Sequence, residues 1–76
     1  MKRAISPYED LANAIILTAV EDYREVLRIL SLNPNNNVAV GEVRSIERFF
    51  RSGYFGILTK LDPEMLIKRL NEEVTV

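Results

Sequence analysis

The chain has 76 residues, 47% apolar and 28% charged, and a formal net charge of −1. A chain of this length makes one domain that buries only about 60% of the surface its unfolded form exposes, and the composition is globular and not that of a disordered segment. The near-neutral balance excludes a whole-chain electrostatic commitment to nucleic acid or membrane, so any such contact must come from a local patch.

Cysteine and histidine are both absent. That removes disulfides, thiolate nucleophiles, cysteine-based zinc sites and the usual acid–base residue at neutral pH. The start, Met1-Lys2-Arg3-Ala4-Ile5-Ser6-Pro7, is basic but leads into Tyr8-Glu9-Asp10 and not into an apolar signal region. The most apolar run, Leu11 to Val20, is interrupted by Asn13 and too short to span a bilayer. These features predict a cytoplasmic protein without a membrane segment.

The first element is a helix over Ser6–Leu32, about 39 Å long at about 1.5 Å per residue. Ser6 can cap an exposed amide, Pro7 suits the first helical position, and Glu9 completes a capping box three residues after the cap. Projection at about 100° per residue gathers Tyr8, Leu11, Ile15, Ile16, Ala19, Val20, Tyr23, Val26, Leu27 and Leu30 within half the circumference. Asn13, Arg24, Asp10, Glu21 and Arg28 lie opposite. Two residues break the pattern: Leu17 falls in the polar side, and Asp22 falls within the apolar arc near its edge.

Asn33-Pro34-Asn35-Asn36-Asn37 stops this helix, since proline disfavours helical geometry in the residue before it and asparagine tolerates turns. A second helix is expected from about Val38 to Arg51, with Ala39, Val43, Ile46 and Phe50 as its core stripe and Val40 and Phe49 flanking. Gly41 sits away from that stripe and weakens the helix slightly. Ser52-Gly53 ends it or caps a short helical turn, Tyr54–Leu58, that closes one end of the core. Asp62-Pro63-Glu64 repeats the entry logic of the first helix, so a last helix runs from Pro63 to about Glu73. Met65, Leu66 and Leu70 are expected to face inward, with Ile67 and Val74 as further candidates. Glu64 and Lys68 are spaced for an outer ion pair. No strand-like alternation competes. The expected fold is all-α: a small helical bundle with one long N-terminal helix, a second helix, a short helical turn and a C-terminal helix, all within one domain.

Four surface features are candidates for function. Arg44, Arg48 and Arg51 form a row on the second helix, within a segment whose four basic and two acidic residues from Val38 to Lys60 leave a net +2. Such a row could grip phosphates while Tyr54 and Phe55 stack on bases. The plainer reading is that the arginines pair with Glu47 and with acids of the first helix, where exposed pairs contribute little. Phe49, Phe50, Tyr54 and Phe55 place four of the six aromatics within seven residues. Phe50 is core by periodicity; Phe49 and one of Tyr54 or Phe55 could anchor a partner, although core packing accounts for them more simply.

Asp22 would be costly inside the apolar arc without a partner. It is therefore expected to be a structural polar anchor, bonded to Arg48 or Arg51 across the helix interface. Ala14, Leu17, Thr18 and Glu21 make a small-and-apolar strip that could serve as an oligomer surface, although isolated exposed leucines are also ordinary. No phosphate loop, nucleophile elbow or metal motif is present, so neither an enzyme nor a cofactor is expected.

Two blocks carry a resemblance. Ala14-Ile15-Ile16-Leu17-Thr18-Ala19-Val20-Glu21-Asp22-Tyr23-Arg24 is the first, and Ile46-Glu47-Arg48-Phe49-Phe50-Arg51-Ser52-Gly53-Tyr54-Phe55 the second. With Leu58-Thr59-Lys60-Leu61-Asp62 and Leu66-Ile67 after them, the chain resembles a family of uncharacterised small helical proteins of Firmicutes phages, prophages and mobile elements. Typical members carry Gln where this chain has Thr18, Cys near Ile46 and Trp where it has Tyr54, changes that are conservative for packing. The resemblance implies a source but transfers no catalytic residue. It implies an accessory protein that handles phage DNA or blocks a host or defence protein. The expected function is non-enzymatic and acts through contacts with a protein partner or a second copy of the chain. The alternative is a small nucleic-acid-binding module built on Arg44, Arg48 and Arg51.

Overall fold

A computed structural model describes residues 7–74 and places them in four helices: α1 (Pro7–Leu32), α2 (Asn37–Phe50), α3 (Gly53–Leu58) and α4 (Pro63–Val74). The described chain is all-α, in the expected element order. Ser6, the expected cap of α1, lies outside the described residues.

Each boundary has a local cause. Pro7 opens α1, and Glu9 and Asp10 set negative charge against the positive end of the helix dipole. At the other end Asn33 donates its amide to the Ile29 carbonyl at 2.9 Å, and Pro34 can carry the ladder no further. Asn36 then caps α2, its side-chain oxygen accepting from the Ala39 amide at 3.1 Å. A four-residue connection of this kind turns the chain back, so α2 runs antiparallel to α1: Ile29 and Val26 lie beside Glu42, and Ile15 lies beside Phe49.

Ser52 joins two elements. Its hydroxyl donates to the Phe49 carbonyl at 2.7 Å at the end of α2, and its oxygen accepts from the Phe55 amide at 3.2 Å as the cap of α3. Asp62 does the same entry work for α4, accepting from the Glu64 amide at 3.0 Å ahead of Pro63 in the first turn.

The core is built from Ile16, Val20, Tyr23 and Leu27 of α1, Phe50 of α2, Phe55 of α3, and Ile67 and Leu70 of α4. Tyr23, Phe50 and Phe55 are its largest fully buried side chains. Phe50 meets Tyr23 and Phe55 edge-on, each with ring centroids 5.5 Å apart, and Phe49 leans on Phe55 at 5.7 Å. Through Phe55 the short α3 joins this aromatic core. Truncating Phe50 to alanine would cost about 3–5 kcal/mol, a large share of the total stability of a small domain.

Three expectations need correction. Tyr8 and Leu11, assigned to the apolar arc, are 84% and 60% exposed. The cause is length: the 14 residues of α2 are too few to cover the 26 of α1, so the first turns of α1 extend past their partner. Met65 is 56% exposed, because the buried residues of α4 are Ile67 and Leu70 and Met65 lies on the other side of the helix. Glu64 pairs with Arg51, at the C-terminal cap of α2, and not with Lys68, since the fork of the guanidinium reaches both carboxylate oxygens.

Gly41 lies on the exposed side of α2, and an added Cβ would meet nothing within 4 Å. Gly41→Ala should therefore stabilise the fold by about 0.5–1 kcal/mol. The check is a higher urea midpoint at unchanged m-value; a lower midpoint would refute the placement of Gly41 on an open helical surface.

Candidate functional site

The polar centre of the molecule lies one residue from where the pattern pointed. Asp22 is exposed and makes no hydrogen bond or ion pair among the described residues, so it is not the anchor to Arg48 or Arg51. A carboxylate at the edge of the apolar arc reaches water directly, which removes the need for a buried partner.

Tyr23 holds that position instead. Its ring is fully buried against Phe50, and its hydroxyl donates to Glu47 Oε2 of α2 at 2.6 Å. Asn71 of α4 donates its amide to the Tyr23 oxygen at 2.9 Å and to the Ile67 carbonyl at 2.8 Å. One hydroxyl thus ties α1, α2 and α4 together. Arg51 extends the network: it approaches Glu47 at 3.5 Å and grips Glu64 in a forked contact at 2.6 and 3.0 Å. Burial, helped by the Glu47 carboxylate, pushes the Tyr23 hydroxyl up to about 12 from its ordinary 10.0, so at neutral pH it stays protonated and serves as a donor. The available signal was a tyrosine at the centre of an apolar arc, whose hydroxyl requires a partner once buried.

The arginine row divides. Arg51 is committed to Glu47, as the plainer reading held, and to Glu64 of α4 in place of an acid of the first helix. Arg44 and Arg48 are exposed and have no hydrogen-bond or ion-pair partner among the described residues. The aromatics expected beside them divide too. Phe55 is fully buried and Phe49 is half-buried within the ring lattice, leaving Tyr54, 52% exposed, as the ring open to a partner. Phe55 is therefore unavailable for stacking on a base. The surface offers two free guanidinium groups and one ring, and Glu47 lines the same side of the helix.

On α1, Ala14, Leu17, Thr18 and Glu21 are all exposed, Leu17 at 58%. Thr18 also belongs to a second surface that the sequence pattern did not single out. This is a groove along the α1–α2 pair, lined by Ile15, Thr18 and Ala19 on one wall and Ser45, Ile46 and Phe49 on the other. It continues past Asp22 toward Val26, Ile29 and Glu42. Helix α4 lines neither part. The signal for it was the length of α1 and the breadth of its apolar arc, wider than one neighbouring helix can cover.

Among the described residues no group of three or more acidic side chains is placed to hold a metal ion, and no helix is long and apolar enough to cross a membrane. Comparison with family models, curated proteins and solved structures finds no match to this chain.

The Tyr23 network gives a direct prediction. Tyr23→Phe leaves Glu47 and Asn71 without their shared partner and should cost about 1–3 kcal/mol at neutral pH. The raised hydroxyl also sets a pH dependence. The unfolded chain loses this proton first, so the contribution is complete below pH 10.0 and falls away as pH rises toward about 12. Chemical denaturation at neutral and alkaline pH should show a shallower alkaline loss in Tyr23→Phe than in the parent; identical slopes would refute the shift.

Proposed function

We propose that this chain is a non-enzymatic accessory protein of the phage or prophage type, acting in the host cytoplasm through protein–protein contacts, with a homodimer as one form of contact. The observation that supports this reading is the uncovered apolar surface of α1. Tyr8 and Leu11 continue the core stripe beyond the end of α2, Leu17 stands exposed on another side, and the α1–α2 groove adds Ile15, Ile46 and Phe49. Exposed apolar side chains that continue an apolar groove, as Tyr8 and Leu11 continue the line of Ile15, are the mark of an interaction site. A host or defence protein is the class of target that the family resemblance suggests.

A second reading keeps one specific support: Arg44 and Arg48 are free of carboxylate partners and share the outer side of α2. In it, the chain is a small nucleic-acid-binding module, with Tyr54 as its stacking ring. The commitment of Arg51 to Glu64 and the burial of Phe55 make it the weaker reading.

Salt separates the two. Binding to duplex DNA or RNA that weakens steeply with salt and is lost in Arg48→Ala supports the second reading; no binding at low salt eliminates it. The first predicts a protein retained from infected host cells by the parent chain and released by Leu11→Glu or Leu17→Glu. No specific retention, together with a monomeric mass at about 100 µM, contradicts it.

A further inference from the structure

The α1–α2 groove has a chemical polarity that the core does not explain. At one end its walls are apolar, with Ile15, Ala19, Ile46 and Phe49. Toward the other end the charged lining groups are Asp22, Glu25 and Glu42, all carboxylates. Asp22, Ser45 and Ile46 belong to both ends, so the groove is continuous. Glu25 is held by Arg28 at 2.6 Å, but Asp22 and Glu42 have no ion-pair or hydrogen-bond partner among the described residues. Unpaired carboxylates across one groove repel each other, and a cation placed between them relieves that repulsion.

We infer that this groove docks a cationic amphipathic helix of a partner protein, with an apolar stripe against Ile15, Ala19, Ile46 and Phe49 and a Lys or Arg reaching Asp22 and Glu42. The inference rests on the protein-contact reading and names the chemistry of the partner. A helix is the fitting occupant because two antiparallel helices joined by a short turn offer a lengthwise seat, and recognition of this kind uses anchors at helical spacing. A second copy fits less well. Isologous pairing of this surface would bring the carboxylates of both copies into one interface with no cation from its own lining to meet them. The free arginines of α2 lie on its other side, beside Glu47 and Ser52, and could enter the groove of another copy only by a heterologous, head-to-tail contact.

The test uses two synthetic helical peptides with the same leucine stripe, one flanked by lysines and the other by glutamates. Each is titrated into the isotopically labelled chain and followed by amide shifts. The lysine peptide should bind about tenfold or more tightly than the glutamate peptide, with shifts concentrated along the Ile15–Ile29 and Glu42–Phe49 faces. The double variant Asp22→Lys, Glu42→Lys should reverse the preference. Both positions are exposed, and an unchanged melting curve checks that the variant still folds. Equal affinity for the two peptides, shifts outside the groove, or no binding of either overturns the inference. If the groove variants instead change only the self-association of the chain, the occupant is a second copy; the protein-contact reading then stands and the cationic partner does not. Failure of that reading shows separately, as no partner retained from host cells.

Discussion

The bundle depends on the burial of one hydroxyl. Tyr23 is fully enclosed, and a phenol can be enclosed at low cost only if its oxygen finds partners. Those partners are Glu47 and Asn71, each on a different helix from Tyr23 and from one another. Apolar packing alone would hold the helices together but leave their rotation and sliding loosely defined. The Tyr23 contacts set the register of α2 and α4 on α1, and the Arg51–Glu64 pair repeats that restraint at the other end of α4. A domain this small has little surplus burial, so a contact that selects one arrangement matters in proportion.

The elements were legible where local chemistry decides. Pro7, the Asn33–Asn37 segment, Ser52 and the Asp62-Pro63 pair act through nearest neighbours, and the helix ends that lie inside the described residues fall within about one residue of the expectation. The stripe Ala39, Val43, Ile46 and Phe50 was legible for the same reason, since its period belongs to α2 alone. Tyr8, Leu11 and Met65 were misplaced because burial depends on how far a neighbour extends, and periodicity carries no such information. Asp22 and Glu64 were misassigned because a carboxylate's partner is chosen in three dimensions. A long guanidinium can reach Glu64 across 13 residues as easily as Lys68 can from one turn away. Of the candidate surfaces, the exposed strip on α1 was readable, whereas the groove was not, because half of it belongs to another helix.

The same geometry sorts the surface by sign. Arg44 and Arg48 occupy the outer side of α2, while Asp22, Glu25 and Glu42 mark the groove on its other side. A net charge of −1 conceals this division. Charges divided in this way steer partners of opposite sign to different faces. The apolar stripe of α1 runs alongside the acidic side, and this favours the proposed protein partner over a polyanion.

The central claim is that Tyr23 couples the helices instead of merely filling space, and a double-mutant cycle between Tyr23→Phe and Glu47→Ala tests it most directly. If the claim holds, the two substitutions show a coupling of about 0.5–3 kcal/mol in equilibrium denaturation, because each removes the same bond. Free energies that add to within about 0.3–0.5 kcal/mol would contradict it and reduce Tyr23 to a packing residue.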